Sequence, residues 1–346
     1  MDQIVRLPHK EKTAYFEVAA AGLNLPPEFI EKDFWVCWML KQLFSLDPLG
    51  KHLTFKGGTS LSKCYNAIQR FSEDIDVSIE RSFLSSNGNI DPIVGESNKE
   101  NKRRLSELRR ICQAEVRQTF LPALKEKIKS LLGDNNQWVL ELDPDDPDRQ
   151  TVLFYFPNAP KGAGGGYVRP YIKVEFGARS DHWPVESVAI VPYVASVVSG
   201  TIHIEETILR VLAAERTFWE KVTILHMLYH YPEGKAIPPR MSRHYYDVYA
   251  MSSTPIFQRA LDRIELLKHV ADHKDLFFKS SWARYHEAQP GTLRLVPRGA
   301  DQMKYLKNDY RQMNQMFFKD PPLFDDIMEG LKEIEGRIKK THTPGV

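Results

Sequence analysis

Two aspartates separated by one residue, Asp74 and Asp76, are the side chains whose spacing most directly suggests chemistry. They fall in DIDVSIE, which predicts a strand, and alternate side chains of a strand lie on one face. Asp74, Asp76 and Ser78 then share a face, with the two aspartate backbones about 6–7 Å apart. This spacing suits carboxylates that converge on two divalent ions about 3.5–4 Å apart. A lone Asp-x-Asp is also common on exposed strands, so the pattern alone leaves both interpretations open.

A glycine turn precedes the aspartates, in the segment FKGGTS over residues 55–60. Glycines between a strand and a helix allow backbone N–H groups to approach a phosphate, and the start of the helix adds a positive dipole. The segment is not a P-loop, because the G-x-x-x-x-G-K-[ST] spacing is missing. A glycine turn, a helix and then Asp-x-Asp on a strand together predict a site for metal and triphosphate.

Lys221 is an unusual lysine, because it falls on the apolar stripe of a helix predicted over residues 206–229. Its neighbours at helical spacing include Phe218, Ile224 and Leu225. An ammonium buried without a partner is costly. The side chain therefore either extends to the edge of the core or is a cation directed at nucleotide phosphates.

Asp247 and Glu175 each have a simpler alternative role. Arg243 and Asp247 are four residues apart on a predicted helix, which is the spacing of a surface ion pair. Lys173 and Glu175 share one face of the predicted strand YIKVEF, where a cross-strand ion pair competes with metal binding. The residue pattern leaves these alternatives open.

The spacing of the histidines and cysteines does not predict a metal site. His226 and His230 stand one helical turn apart, but no third ligand or HExxH pattern accompanies them, so packing roles are expected. Cys37, Cys64 and Cys112 are odd in number, widely spaced and in no CxxC arrangement. They argue against a disulfide framework or a cysteine zinc site and fit a reducing cytosol.

Composition is that of a globular protein large enough for two domains. The 346 residues are 42% hydrophobic and 27% charged, and the formal net charge is +2. Because the net charge is small, the protein has no overall positive electrostatic field that would indicate a nucleic-acid partner. Any basic patch must therefore be local. No signal peptide and no run of about 20 apolar residues is visible. We expect a cytoplasmic protein.

The predicted secondary structure that must position these residues changes along the chain, from a sheet with helices to helices alone. Residues 1–204 are expected to form a sheet with N-terminal and flanking helices, and residues 205–346 a mainly helical domain that completes the active site. The glycine-rich stretch 161–166 is expected to be a hairpin loop, because no helix start follows it. Predicted strands cover residues 53–55, 74–80, 138–142, 151–156 and 168–176.

The segments FKGGTSLSK and RFSEDIDVSI together resemble motif I of the AbiEii/AbiGii-type toxin nucleotidyltransferases of the polymerase-β superfamily. The resemblance extends to AERTFWEKVTILH and SRHYYDVYAM, and more loosely to IEKDFWVCWML and the C-terminal tail, so it covers most of the chain. It implies an α+β fold, with a polymerase-β-type core of mixed sheet and flanking helices followed by a helical C-terminal domain. It also implies a toxin of a type IV, abortive-infection-like toxin–antitoxin system in phage defence, with a winged-helix, DNA-binding antitoxin. Related MenT toxins modify tRNA acceptor ends.

When the family's residue roles are transferred to the matching positions, the resemblance implies that Asp74 and Asp76 bind two Mg²⁺ ions. Glu175 fits the position of a third metal carboxylate. Ser72, just upstream of the aspartates, is alternatively a modifiable hydroxyl. The implied nucleotide- and phosphate-binding residues are Gly57, Gly58, Thr59, Ser60, Ser72 and Arg243.

The same resemblance matches Lys221 to the family's helix-borne lysine and implies that Asp247 is a catalytic acid, supported by Arg243 and Tyr246. The expected reaction is attack of an acceptor hydroxyl on the α-phosphate of an NTP, with release of pyrophosphate whose charge Lys221 neutralises. RNA, at the tRNA 3′ end, is the expected acceptor.

Cations over residues 99–117, and cations with aromatics over residues 277–298, fit contact with single-stranded RNA. The first cluster is equally consistent with a solvated helix face. Two other functions stay open: transfer of a nucleotidyl or phosphoryl group to a small molecule or protein, and a nucleotide-binding interaction module without turnover.

Overall fold

The computed structural model describes residues 1–85, 90–134, 137–159, 169–198, 200 and 202–341. They form two compact units. The first comprises Met1–Cys64, Phe71–Asp91 and Ser97–Leu212, and the second comprises Tyr65–Arg70, Pro92–Glu96 and Ala213–Val346. Among the described helices, none is long and apolar enough to cross a membrane.

The first unit is built on a mixed sheet, which has seven strands in the described part of the chain. The strands are β1 (Leu53–Lys56), β2 (Ile75–Ile79), β3 (Val139–Leu142), β4 (Thr151–Tyr155), β5 (Ile172–Gly177), β6 (Val185–Ile190) and β7 (Thr207–Leu212). Their order across the sheet is β3-β4-β5-β2-β1-β7-β6. Strands β2 and β5 are parallel, as are β1 and β7, while the other neighbours are antiparallel.

Helices flank this sheet. They are α1 (Asp2–Val5), α2 (His9–Leu23), α3 (Pro27–Phe44), α4 (Gly57–Lys63), α5 (Arg81–Leu84), α6 (Asn98–Glu115), α7 (Leu121–Leu132) and α8 (Ala195–Val198). Pro27 occupies the first turn of α3, where its missing N–H costs nothing. The helix is buried along most of its length, and the rings of Trp35 and Trp38 pack on Phe154. It therefore acts as a core helix of this unit.

The second unit is helical. Its helices are α9 (Ala214–Tyr229), α10 (Ser242–Ser252), α11 (Pro255–Asp262), α12 (Glu265–Phe277), α13 (Ala300–Gln312) and α14 (Phe324–Lys340). Helix α9 packs against α10, α11 and α12. Its Phe218 and Trp219 are fully buried, so it forms the centre of this unit.

Two predicted helix bounds are wrong. The helix expected from residue 206 begins at Ala214, because the preceding residues Thr207–Leu212 form a strand with alternating burial that pairs with β1 and β6. The helix that follows the glycine turn, which the sequence pattern favours as far as about residue 68, ends at Lys63, and residues 65–70 belong to the helical unit. Strand β7 belongs to the sheet, so the first unit extends to Leu212, beyond the predicted division at residue 204.

The predicted α+β fold class is confirmed: a mixed sheet with flanking helices is followed by a helical C-terminal region. The glycine-rich stretch 161–166, for which a hairpin loop is expected, lies outside the described residues.

Candidate active site

Three carboxylates of the predicted metal site lie on one face of the sheet. Strands β2 and β5 are parallel, and their register aligns Asp76 with Glu175, so these side chains leave the sheet on the same side. Asp74 lies just before β2 and continues its alternation, because Ile75 between the two aspartates is fully buried. The parallel pairing therefore brings together acids a hundred residues apart in the chain.

Gly57 packs directly against the carboxylate of Asp76. It begins α4 with a φ of +86°, a conformation that side chains other than glycine's rarely adopt. A Cβ at this position would lie 2.1 Å from Asp76 Oδ2. The glycine turn is thus required for close approach of the backbone to the Asp76 carboxylate, and Gly58 follows Gly57 in the first turn of α4.

The hydroxyls predicted to bind phosphate make hydrogen bonds within the protein. Thr59 donates to the carbonyl oxygen of Asp74 at 2.5 Å, and the Thr59 and Ser72 hydroxyls are 3.0 Å apart. Ser60 is fully buried and donates to the carbonyl of Gly57 at 2.9 Å. These three side chains hold the glycine turn and the entry to β2 together. A phosphate-binding role for them stays a prediction.

Lys32 ties the entries of the two acid-bearing strands to each other. This buried lysine of α3 lies 3.1 Å from Glu73 Oε2 and donates to the carbonyl oxygens of Arg169, at 2.6 Å, and Tyr171. Glu73 immediately precedes Asp74, and Tyr171 immediately precedes β5. The sequence analysis missed this role, although a lysine inside the apolar segment IEKDFWVCWML was a visible sign.

A second buried ion pair anchors the far end of α4. Lys63 donates to Asp33 at 2.6 Å, and the other Asp33 oxygen accepts the backbone N–H of Tyr193 at 2.6 Å. The ammonium also lies 3.9 Å from the centre of the Tyr193 ring. Burial lowers the pKa of Lys63, but the Asp33 carboxylate outweighs burial and raises it. Helix α4 is therefore held by polar contacts at both ends.

Glu175 forms an ion pair with Lys173 at 2.6 Å, within strand β5 and not across strands as the alternative supposed. Burial lowers the pKa of Lys173, but the hydrogen bond that it donates to Glu175 and the charges of Glu175 and Asp74 raise it above its ordinary value. The Asp74 carboxylate makes no hydrogen bond or ion pair within the described residues. This face thus concentrates negative charge, with Lys173 as a local counter-ion.

The two aspartates fit a metal that shares its ligands with a substrate. In the residues that the structure describes, no group of three or more His, Cys, Asp or Glu side chains is arranged to hold an ion. Mg²⁺ is usually bound by one or two carboxylates together with water and substrate phosphates, and not by an all-protein cage. Asp74 and Asp76 supply such a partial set. Glu175 faces the same side but pairs with Lys173.

In the helical unit, Asp247 is a fully buried carboxylate between two cations. Arg70 donates through Nε to Oδ1 at 2.7 Å and through Nη2 to Oδ2 at 2.8 Å. Lys221 Nζ donates to the same Oδ2 at 2.7 Å. Burial alone would raise the pKa of Asp247, but Arg70 and Lys221 hold it well below its usual range. The alternative of a surface ion pair with Arg243 is therefore wrong.

Lys221 is buried and is not a side chain that extends to solvent. Its only hydrogen-bond partner in the described part of the chain is Asp247. Burial lowers its pKa, and the charges of Arg70 and Arg243 lower it further, against the opposing charge of Asp247. Arg243 itself makes no hydrogen bond or ion pair with the described residues. The buried Lys221 therefore keeps donor capacity for a further anion.

The segment that carries Arg70 is fixed by the helical unit. The hydroxyl of Tyr246 accepts the backbone N–H of Gln69 at 3.1 Å, and Arg70 forms a β-bridge with Phe317. The ring of Phe317 in turn packs on Tyr246 at 4.8 Å. Arg70 was missed by the sequence analysis, although it stands four residues before Asp74 in the same motif.

His226 is a satisfied core histidine, as predicted. Its Nδ1 accepts the backbone N–H of Arg294 at 3.2 Å, and its Nε2 lies 3.1 Å from the carbonyl oxygen of Arg284. Burial lowers its pKa to about 4, so the ring is neutral near pH 7. Both ring nitrogens are used within the fold, which confirms a packing role.

The exposed cations of α6 are largely paired. Arg103 lies 2.6 Å from Glu100, and Arg110 lies 2.7 Å from Glu107, each one turn apart along the helix. Arg109 pairs with Asp148 at 3.1 Å. These contacts favour a solvated face over an RNA surface. Within residues 277–298, Phe277 is buried, while the ring of Trp282 contacts that of Tyr231 at 4.9 Å.

A mixed sheet carries Asp76 on a central strand and Asp74 just before that strand, with a glycine turn against Asp76, which is an arrangement suited to a nucleotidyltransferase. The sequence model of the family described as "Nucleotidyl transferase AbiEii toxin, Type IV TA system" matches residues 38–330. The chain belongs to this family of nucleotidyltransferase toxins, as the motif resemblance implied. It is therefore a nucleotidyltransferase and the toxin of a type IV toxin–antitoxin system, with an NTP substrate and an antitoxin partner.

The solved structures that this chain resembles have low sequence identity to it. MenT4, nucleotidyltransferase toxin Rv2826c from Mycobacterium tuberculosis H37Rv, is 15% identical with a TM-score of 0.43, over 95% of this chain and 88% of that one. JHP933 from Helicobacter pylori is 14% identical with a TM-score of 0.39, over 87% and 88%. The search of the curated proteins found no match.

Proposed function

We propose that this toxin transfers NMP from an NTP to an RNA hydroxyl, with the tRNA 3′ end as acceptor and Mg²⁺ as the metal. The observation that carries the proposal is the shared face of Asp74 and Asp76, with Gly57 packed against the second carboxylate. This arrangement suits recognition of a metal-bound triphosphate, because the carboxylates lie next to the backbone N–H groups at the start of α4.

Asp74 and Asp76 are the residues proposed to hold the metal, with Glu175 as an auxiliary acid once it leaves Lys173. When bound, Mg²⁺ would polarise the phosphoryl oxygens and favour the ionised form of the acceptor hydroxyl. The chain's own contribution at this face is to orient the two aspartates. Thr59 supports this orientation through the carbonyl oxygen of Asp74, and Lys32 does so through the side chain of the preceding residue, Glu73.

In the proposed reaction, the acceptor oxygen forms a bond to the α-phosphorus as the bond to the bridging oxygen of pyrophosphate breaks. The acceptor proton passes to water. We assign Lys221 to neutralising the charge that develops on pyrophosphate, supported by its unused donor capacity. The backbone of Gly57 and Gly58 and the side chain of Arg243 are proposed as further phosphate contacts.

The acceptor assignment rests on the family resemblance and, within the structure, on residues 277–298. Arg298 is largely exposed, and Trp282 lies against Tyr231, which provides the cation and aromatic groups that suit single-stranded RNA. The cations of α6 contribute less to this proposal because acids neutralise them.

The partner proposed to restrain the toxin is a winged-helix, DNA-binding antitoxin acting in the cytoplasm as part of phage defence. A neighbouring gene for such a protein would support this assignment. A pull-down of the toxin with the encoded neighbour tests it directly, because a neighbour that neither binds nor restores growth contradicts it.

Transfer can be tested by incubating the pure protein with each NTP, labelled at the α-phosphate, together with Mg²⁺ and total tRNA. Label on tRNA is expected, and periodate oxidation of the tRNA 3′ diol should prevent it. Asp76→Asn is expected to abolish transfer, and EDTA should do so reversibly. Label on a small molecule or on protein would contradict RNA as acceptor, and nucleotide binding without transfer would contradict turnover altogether.

A further inference from the structure

In the cluster formed by Arg70, Lys221 and Asp247, both oxygens of the buried Asp247 carboxylate already accept hydrogen bonds from cations. Arg70 bonds both carboxylate oxygens of Asp247, and Lys221 bonds one of them, at 2.7–2.8 Å. A carboxylate whose two oxygens accept three charge-assisted hydrogen bonds cannot readily accept a proton. Asp247 is therefore unsuited to act as a general base, even though a buried aspartate near a reaction suggests that role.

We propose that Arg70 is a positioning residue: its bidentate bond fixes the Asp247 carboxylate, which in turn holds Lys221 Nζ at one place for contact with the nucleotide phosphates. This inference rests on the proposed role of Lys221 in the transfer reaction. Arg70 and Asp247 touch neither the phosphates nor the metal in this scheme and act through Lys221.

The geometry favours positioning for three reasons. The side chains of Arg70, Lys221 and Asp247 are all almost wholly buried, so water does not screen their contacts. A guanidinium supplies two parallel N–H groups and so fixes the plane of a carboxylate, which a single ammonium cannot do. Finally, the backbone of Arg70 is itself held by Phe317, and that of its neighbour Gln69 by Tyr246.

The test is a double-mutant cycle between Arg70→Met and Lys221→Met, measured as kcat and KM for the transfer reaction on protein shown to be folded by circular dichroism. Arg70→Met alone is expected to lower kcat about 100-fold, the cost of misplacing a catalytic group by about 1 Å. KM for the NTP should change much less. In the Lys221→Met background, the same substitution should cause no further loss. Arg70→Lys should give an intermediate kcat, because it keeps the charge but not the bidentate geometry.

Arg263→Met is the matched control, because Arg263 pairs at 3.1 Å with another buried carboxylate, Glu215, on the helix that also carries Lys221. It should leave kcat of the folded protein unchanged in both backgrounds. If Lys221→Met leaves too little steady-state transfer to measure, the cycle is repeated as single-turnover transfer with enzyme in excess over the NTP, and the same non-additivity is expected.

Equal losses from Arg70→Met in both backgrounds would overturn the inference, because they would show a role independent of Lys221. An unchanged kcat in Arg70→Met would also overturn it. Full transfer by Lys221→Met is a different outcome, since it would refute the proposed role of Lys221 itself and leave nothing for Arg70 to position.

Discussion

At the scale of single residues, the absence of one side chain shapes the candidate metal site. Gly57 brings the backbone at the start of α4 into contact with Asp76, at a position where φ is +86°. Any other residue would combine an unfavourable backbone conformation with a collision against a charged oxygen. The site therefore depends on the absence of a side chain at Gly57 as much as on the presence of the Asp76 carboxylate.

Gly57→Ala is expected to abolish most transfer activity, because its Cβ would displace the Asp76 carboxylate. We expect a loss of about 100-fold in kcat and a fall of about 1–3 kcal/mol in the free energy of unfolding. Steady-state kinetics and urea unfolding measure the two effects. Gly95→Ala is the matched control, since Gly95 has a φ of +88° but a Cβ added there would have no neighbouring atom within 4 Å. Activity similar to that of Gly95→Ala would show that the collision is not important.

At the scale of elements, α3 and α4 position the metal-site strand through buried ion pairs. Lys32 connects α3 to the Glu73 side chain before β2 and to the backbone before β5, and Asp33 connects α3 to the end of α4. A buried ion pair does not necessarily stabilise a fold relative to apolar residues, but it specifies a geometry, and losing one partner is costly.

Lys32→Met should lower the free energy of unfolding by about 3–5 kcal/mol, because it leaves Glu73 buried without its cation. The double variant Lys32→Met, Glu73→Leu should recover most of this loss, since no unpaired charge remains. Urea unfolding followed by tryptophan fluorescence measures both. Lys268→Met, which breaks an exposed pair with Asp272, should change stability by less than about 1 kcal/mol. A double variant no more stable than Lys32→Met would contradict this account.

The buried His226 of helix α9 makes the free energy of unfolding depend on pH. Burial lowers its folded pKa from 6.5 to about 4, so between these values the unfolded chain binds more protons than the folded one. Stability should therefore fall as pH decreases from about 6.5 to about 4, by up to about 3 kcal/mol. His226→Gln should flatten this decline, and His286→Gln, at an exposed position, should not. Urea unfolding across this pH range gives the slopes, and an unaltered slope in His226→Gln would argue against the assignment.

At the scale of the whole molecule, the predicted catalytic residues divide between two compact units. Asp74, Asp76 and the glycine turn belong to the sheet-containing unit, and Lys221, Arg243 and Asp247 belong to the helical one. Each set has its own buried polar network. A requirement of both sets for toxicity would show that the family's activity depends on the full chain and not on the sheet alone.

Expression of the intact chain in a bacterial host is expected to arrest growth, as a nucleotidyltransferase toxin should. Asp76→Asn, in the first unit, and Lys221→Met, in the second, should each relieve the arrest at equal protein levels on an immunoblot. Asp145→Asn, an acid-to-amide change in an exposed turn, should remain fully toxic. Growth arrest by both inactive variants would mean that toxicity does not come from transfer.

The sequence alone was sufficient for the local features. Asp-x-Asp on a strand, the glycine turn before it and the switch from sheet to helices depend on neighbouring residues, and the match of residues 38–330 confirmed the family. A strand at residues 207–212 was missed because its alternation is short and adjoins a long helical pattern.

Only the tertiary structure decided which distant residues meet. Parallel pairing of β2 with β5 aligns Glu175 with Asp76, but the sequence does not specify that register. The partners of Asp247 are Arg70 and Lys221, and helical spacing had suggested Arg243 instead. Lys32 likewise meets Glu73 across a long separation. Side-chain periodicity predicts which face a residue occupies, whereas the partner of a buried charge depends on how whole elements pack, and that packing is not encoded in any local pattern.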